Sequence, residues 1–330
     1  MIDVRQLDAD SWNDLVTTAP DATGFHLAES LDVLADETDT TVYRLAGFKG
    51  EEPCGLFPVF VKSFGPVTTL FSPPPGVKVN YLGPLLVNAD KLKQRRRELR
   101  HSRFVDACIE WLDSTVSPSF TTVRTTPGYA DVRPFVWNDH DATPRYTYVV
   151  DTTRDPDDLL AAFSSDARRN ITDDHDTDYE IRAEGADAID DIVTGVIDRH
   201  AEQDESFPIG PTFVRELYEA APDGVVTPIT VRADGEFLGG HVLVELNDTC
   251  ISWLGVSDLD HDLPITDLLD WHCIQRAHDA GYSGFDLAGA NNRRLSEYKS
   301  KFAPTLVPYY RVESGSWPLR AAASVYGTFK

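Results

Sequence analysis

The sequence lacks any run of about 18 apolar residues, the length that a helix needs to cross a bilayer. Its first residues, MIDVRQLDADSW, also lack the basic stretch and apolar core of a secretory signal. We therefore expect a cytoplasmic protein without a membrane span.

Cysteine is scarce, with only Cys54, Cys108, Cys250 and Cys273 present. None forms a C-x-x-C pair, and each lies within an apolar segment. This pattern predicts small buried hydrophobic residues in a reducing compartment, and a catalytic thiol is the alternative. His272 and His278 do not have the i, i+4 spacing of a helical zinc pair, so no metal site is predicted.

Lysine is scarce as well: the chain has 8 Lys and 22 Arg against 38 Asp and 16 Glu, and its net charge is −24. The acids are spread along the whole chain, and Asp exceeds Glu. This composition indicates a protein adapted to high salt, because salt screens the self-repulsion of so many acids. We expect the source to be archaeal. An ordinary acidic protein is the alternative. With either interpretation, the few lysines that remain are informative.

The first half of the chain predicts helices, then an antiparallel strand meander, a long helix and a further strand. A helix is predicted over residues 25–36 and a long helix over 90–114, and the polar region 131–144 reads as a junction. The predicted strands are TTVYRLAGF, PCGLFPVFVKSF, VTTLFS and FTTVRTTP.

The second half repeats this order. Ser164 or Ser165 caps a short helix, and Asp234-Gly235 joins two strands as a type I′ hairpin turn. A helix from Pro264 to Ala280 and the strand SGFDLAG follow. The sequence therefore predicts an α/β protein with two tandem domains, at 1–143 and 144–330, each a mixed and mostly antiparallel sheet flanked by helices.

The segment from Tyr282 to Ala303 is the most informative part of the chain. An apolar strand runs into a turn rich in Gly and Asn, and then into a short helix that carries Lys299 and Lys301. We expect backbone amides of the turn and one of the two lysines to face a negative charge on a ligand. The i, i+2 spacing prevents both lysines from sharing one helical face.

Several segments resemble the Fem-type peptidyltransferases and their FemAB-like or BioF2-like relatives, which belong to the GNAT superfamily. SSDARRNI resembles the family's Arg-containing helix start, and the chain from Thr249 to Ala290 resembles its strand–helix–strand unit. YKSKFAP is similar to the family's F-K-x-x-F-G segment, with Ala303 in place of the Gly. The resemblance covers 144–308 and is fainter over the first half, at FHLAES, GLFPVF and YLGP. It implies two GNAT-like domains and an acyltransferase activity.

The resemblance implies candidate site residues. Lys299 is the first candidate for stabilising the oxyanion of the transfer reaction, and Asp286 could orient the acceptor amine or act as a base, or else cap the turn that follows it. The remaining candidates are for substrate binding: Arg168, Arg169, Trp253, Gly255, Tyr298, Lys301 and Tyr81. The alternative for Lys299, Lys301 and the two arginines is that they are solvated surface side chains. The alternative for Trp253–Gly255 is that this segment is a simple core strand.

The GNAT pyrophosphate loop is missing, because the chain reads SDLDHDLP before the helix at Pro264. The donor is therefore left open between acyl-CoA and aminoacyl-tRNA. The basic run KLKQRRRELRHSR (91–103) could contact the tRNA backbone or form a solvated helix face. The expected acceptor is an amine on an amino sugar, a nucleotide-linked sugar or a peptide. The competing hypothesis is a non-catalytic binding or scaffold protein on this fold.

Overall fold

The computed structural model describes residues 1–316. The strands are β1 Asp3–Gln6, β2 Thr41–Lys49, β3 Glu52–Phe64, β4 Val67–Ser72, β5 Leu85–Leu86, β6 Phe120–Arg124, β7 Asp141–Asp151, β8 Glu180–Ala183, β9 Val226–Ala233, β10 Glu236–Leu246, β11 Thr249–Ser257, β12 Gly284–Asp286 and β13 Thr305–Gly315. The helices are α1 Ala9–Val16, α2 Ala28–Thr38, α3 Gln94–Thr115, α4 Arg133–Trp137, α5 Pro156–Ala162, α6 Ser165–Thr172, α7 Asp187–Ala201, α8 Pro211–Ala220, α9 Ile265–Asp279 and α10 Arg293–Lys299. Short 3₁₀ turns cover Gly24–His26 and Ser300–Phe302.

The chain divides into two compact units. Unit 1 contains Met1–Arg145 and the described residues from Pro308 onward, and unit 2 is Tyr146–Val307. The domain limits 1–143 and 144–330 stay a prediction. In the structure the chain from Pro308 lies with unit 1, since β13 pairs there with β6.

In unit 1 the strand order is β1-β2-β3-β4-β6-β13, and only β4 and β6 run parallel. Helix α3 packs on this sheet through Phe104 and neighbouring apolar residues. Gly47 and Gly55 lie opposite each other on β2 and β3. A Cβ atom at these positions would lie 2.4 Å and 2.5 Å from the Phe104 ring. The two glycines therefore make the space that the buried ring fills.

In unit 2 the strand order is β7-β12-β11-β10-β9-β8, and only β11 and β12 run parallel. Helix α9 contributes Leu269, Cys273 and Ile274 to the core of the unit, where they join Leu243 and Phe285. The β11–β12 pairing covers only Thr249–Ile251, so the rest of β11 continues beyond the end of β12.

The two units share one order of elements. Three antiparallel strands are followed by a long helix and by a strand parallel to the third: β2-β3-β4-α3-β6 in unit 1 and β9-β10-β11-α9-β12 in unit 2. The predicted fold class, a mixed and mostly antiparallel sheet flanked by helices in each half, is confirmed.

Local details are confirmed where a short-range interaction decides them. Ser164 is the N-cap of α6, with its hydroxyl accepting from Ala167 N, and Asp234 and Gly235 both adopt positive φ in the predicted hairpin. All four cysteines are free and buried.

Three boundaries differ from the prediction. The helix expected over 25–36 is broken at Leu27, which has extended backbone, because His26 O accepts a hydrogen bond from the buried Trp12 indole. The long helix begins at Gln94 and not at residue 90. The expected junction 131–144 contains α4 and the start of β7, since Phe135 is buried against Phe57 and Tyr129.

No helix within residues 1–316 is both long enough and apolar enough to span a membrane.

Candidate functional site

Buried carboxylates mark one region of unit 2. Within residues 1–316 only four acidic side chains are buried: Glu245, Asp267, Asp270 and Asp286. Three of them, Asp267, Asp270 and Asp286, interact with the segment that carries Lys299 and Lys301 or with its neighbours. Burying a carboxylate is costly unless it is paired, so this concentration requires a structural or chemical reason.

Lys299 is the last residue of α10 and points into this cluster. Its Nζ donates to the carbonyl oxygens of Ala288 at 2.9 Å and Gly289 at 3.1 Å. Burial lowers the pKa of Lys299, and the charges of Asp270 and Asp286 oppose that effect. The two carbonyls belong to a turn in which Ala288 and Gly289 both have positive φ. The ammonium group is therefore held in place by backbone.

The turn presents carbonyls to the lysine. The amides of Leu287 and Ala290 donate to the Tyr148 and Tyr146 carbonyls, and those of Ala288 and Gly289 donate to side chains. These four amides are thus used within the unit. For these four amides, the expectation that they would face a negative charge on a ligand is wrong.

Asp286 has the capping geometry that was one of its two interpretations. It lies at the end of β12, where Oδ1 accepts from Thr147 Oγ at 2.6 Å and from Ala288 N at 2.8 Å. These bonds fix the turn that holds Lys299. Any role of Asp286 as a base stays a prediction.

Tyr298 joins the other two carboxylates. Its hydroxyl lies 3.0 Å from Asp267 Oδ1 and 2.9 Å from Asp270 Oδ2. One hydroxyl hydrogen cannot serve two carboxylates at once, so the arrangement calls for a second proton. Burial raises the pKa of Asp270 to about 7, against the opposing effects of Tyr298 and Lys299. Asp270 therefore supplies that proton near neutral pH. The same burial raises the pKa of Tyr298.

Lys301 points elsewhere than Lys299. Its Nζ lies 3.2 Å from Asp166 and 3.4 Å from Asp267, and 5.0 Å from the centre of the Tyr298 ring. The bonds of Asp166 with Ser164 and Lys301 lower its pKa to about 2. The ion pairs of Lys301 thus connect the first turn of α6 with the first turn of α9. The two lysines do diverge, as their spacing predicted.

His241 was missed at the sequence level. It lies on β10, and its Nδ1 is 3.0 Å from Ser252 Oγ and 3.7 Å from Asp270 Oδ1. Burial and the nearby Lys299 charge lower its pKa to about 4, so the ring is neutral at physiological pH. The available signal was a histidine inside the apolar strand GGHVLVEL, a pattern that also fits a core residue.

Among the remaining candidates, Gly255 is paired with a residue of the cluster. Gly255 is exposed on β11 directly opposite His241, whereas Trp253 is buried with its ring on Phe213. Arg168 and Arg169 are exposed on α6, and the Arg168 guanidinium donates to the Ala161 carbonyl. Tyr81 is buried in unit 1 against Tyr309.

Residues 162–300 match the family model described as an acetyltransferase (GNAT) domain. This stretch contains His241, Asp267, Asp270, Tyr298 and Lys299. No curated protein sequence matches the chain.

Among solved structures, the protein is similar to FemX, with a TM-score of 0.73 and 11% identity over 93% of this chain and 96% of that one. It is also similar to the C-terminal domain of a putative lysylphosphatidylglycerol synthetase from Agrobacterium fabrum, at a TM-score of 0.58 and 14% identity over 97% and 95% of the two chains. The L-PGS structure from Bacillus licheniformis gives a TM-score of 0.58 and 10% identity over 99% and 98%. At these identities the likeness establishes the fold.

The family match and the fold agree with each other. Residues 162–300 match a GNAT acetyltransferase domain, which supports an enzyme of the acyltransferase class, and the fold is consistent with that match.

Proposed function

We propose that the protein transfers an acyl or aminoacyl group to an amine acceptor at the cluster around Lys299. The observation that carries this proposal is the anchoring of the partly buried Lys299 ammonium group by two backbone carbonyls. An ammonium group has three N–H donors, so two are used and one remains for a ligand. A fixed cation of low solvent exposure is what the oxyanion of a tetrahedral acyl-transfer intermediate requires.

The carboxylates of the cluster can attract the acceptor amine in its ammonium form. Asp286 lies beside Lys299, Asp267 lies beside Lys301, and Asp270 adds its charge as it ionises near pH 7, which favours a cationic ammonium group on the acceptor. We propose an amino sugar, a nucleotide-linked sugar or a peptide.

The surroundings of the α9 N-terminus support an aminoacyl-tRNA donor over acyl-CoA. A helix N-terminus attracts phosphate, but the approach to α9 carries Asp258, Asp260 and Asp262. Its first turn holds the buried Asp267, which accepts from Asn170 at 2.6 Å. A diphosphate at this position would meet four carboxylates. An ester donor without a diphosphate there avoids that repulsion.

The basic run 91–103 in unit 1 supports a donor that contains RNA. It includes Arg95, Arg96 and Arg97, which are exposed in the first turns of α3 and make no ion pair within residues 1–316. Cations at a helix N-terminus oppose the helix dipole, so helix stability does not account for these arginines. Binding to RNA phosphates would account for them.

The decisive experiment is a transfer assay in KCl with two donors, acetyl-CoA and tRNA charged with a labelled amino acid mixture. The acceptors are glucosamine, a nucleotide-linked amino sugar and a lysine-containing peptide. We expect label from charged tRNA in a product that survives the mild base that cleaves esters. Lys299→Gln should lower kcat/KM by about 10²-fold or more, the range for loss of one oxyanion donor. The matched control, Lys49→Gln on the exposed end of β2, should leave it unchanged.

Equal turnover by Lys299→Gln would remove the lysine from the mechanism. Thermal stabilisation by an acceptor without transfer from either donor would favour the binding or scaffold protein. For the RNA surface, changing Arg95, Arg96 and Arg97 to Gln should weaken binding to uncharged tRNA. The slope of the logarithm of the binding constant against the logarithm of the salt concentration should become less negative by up to about three, one for each lost phosphate contact. An unchanged salt dependence would exclude this surface.

We also propose salt adaptation, because 50 of the 54 acids remain at least partly exposed. The thermal midpoint should rise steeply between 0.1 and 3 M KCl, where screening shortens from about 10 Å to about 3 Å or less. A flat response would indicate an ordinary acidic protein.

A further inference from the structure

The placement of His241 differs from that of a core histidine. The His241 ring lies among polar and charged groups, namely Ser252, Asp270 and Lys299. Its Nδ1 faces Ser252 Oγ and the Asp270 carboxyl group. This leaves Nε2 on the opposite edge of the ring.

Gly255 locates the Nε2 edge. A Cβ atom on Gly255 would lie 2.7 Å from His241 Cδ2 and 2.8 Å from Nε2. Gly255 is exposed, whereas only 9% of the His241 side chain is accessible. Gly255 therefore places no side chain of its own over the Nε2 edge, at the part of β11 that continues beyond β12.

Asp270 stands on the other side of the ring from this opening. Its Oδ1 is 3.7 Å from His241 Nδ1, and its Oδ2 contacts the Tyr298 hydroxyl. Asp270 loses its proton as the pH passes about 7, and an imidazolium formed by a proton arriving at Nε2 would then have its Nδ1–H within ion-pair distance of the Asp270 carboxylate. The charged and titratable groups around the pair are Tyr298, Lys299, Lys301, Asp267, Asp286 and Cys273.

We propose that His241, supported by Asp270, accepts the proton of the acceptor ammonium group. This inference rests on the transfer function proposed above. The acceptor R–NH₃⁺ gives one proton to His241 Nε2, and its nitrogen lone pair then forms the C–N bond to the donor carbonyl carbon. The carbonyl oxygen becomes an oxyanion beside Lys299. The intermediate collapses as the bond to the leaving oxygen or sulfur breaks, and the second nitrogen proton leaves with that group.

The first test uses acceptors that differ in their need for a base. A general base contributes about 10²- to 10⁴-fold, so His241→Gln should lower kcat/KM for the lysine-containing peptide by at least about 10²-fold. Hydroxylamine is already unprotonated at neutral pH, so the same variant should keep most of its activity with this acceptor. Lys299→Gln should lose activity with both. Equal losses by His241→Gln with both acceptors would overturn the proposal, and so would no loss with the peptide.

The second test does not depend on turnover. The ring carbons of the histidines are labelled with ¹³C, and the His241 signal is assigned by its absence in His241→Gln. We expect this signal to shift with a midpoint near pH 7, where Asp270 titrates. Asp270→Asn should abolish that step, and Asp279→Asn, on the exposed end of the same helix, should keep it.

The outcomes separate the two proposals. A step near pH 7 that persists in Asp270→Asn, or none in the unchanged protein, would refute the pairing of His241 with Asp270. Turnover that fails with every donor, together with the expected step, would count against the transfer function and not against the pair. Because Asp270→Asn removes a buried acid, this variant should fold even if His241→Gln does not.

Discussion

Replacing Asp270 with Asn should stabilise the protein while it impairs activity. Asp270 is 4% exposed, and its pKa is raised from 3.8 to about 7. Well below pH 3.8 the carboxyl group is protonated in both the folded and the unfolded chain, so it makes no pH-dependent contribution to the free energy of unfolding. Between these two pKa values only the unfolded chain loses the proton. Unfolding therefore becomes easier as pH rises, and the full loss is reached above pH 7.

The size of this effect follows from the shift. About three pKa units at 1.36 kcal/mol each correspond to about 4 kcal/mol over the full range, of which about 2–3 kcal/mol falls between pH 5 and pH 8. Asparagine keeps the hydrogen bond to Tyr298 and has no charge to bury. Its advantage over the unchanged protein should therefore grow by this amount as pH rises.

The assay is urea unfolding of both proteins in KCl at pH 5, 6, 7 and 8, read by tryptophan fluorescence. Subtracting the two curves cancels the other acids, and Asp279→Asn serves as the exposed control. A difference in unfolding free energy that is constant across this pH range would show that Asp270 titrates normally. It would also remove the physical basis for pairing it with His241.

Three further changes test the packing. Ala303 has a φ of 48°, so Ala303→Gly should raise the free energy of unfolding by about 0.5 kcal/mol, and a lower value in urea unfolding would contradict this. Gly255→Ala would place a methyl group 2.7 Å from the His241 ring, so we expect kcat/KM to fall several-fold while the thermal midpoint changes little. Full activity would show that transfer does not depend on the position of the His241 ring. Gly55→Ala would bring a methyl group to 2.5 Å from the Phe104 ring, so we expect the free energy of unfolding to fall by about 2–3 kcal/mol in the same urea assay. An unchanged free energy would indicate that α3 can shift to make room.

Part of the site could be predicted from the sequence because it is contiguous. Lys299, Lys301 and Tyr298 lie within four residues, and their spacing alone required the two lysines to diverge. The residues that complete the cluster are separated along the chain: His241 is on β10, and Asp267 and Asp270 are on α9. No local pattern distinguishes these acids from the other 52 in a chain with 54 of them.

The sequence by itself determined the order of elements, the mixed sheet in each half, the Ser164 cap and the Asp234-Gly235 turn. These depend on apolar periodicity and on bonds between near neighbours, which a linear pattern carries. Only the tertiary structure decided that the 287–290 amides are used internally, that Lys299 contacts carbonyls, and that His241 meets Asp270. The reason is burial: the removal of water that changes the pKa values of Asp270 and His241 comes from strands and helices far apart in sequence.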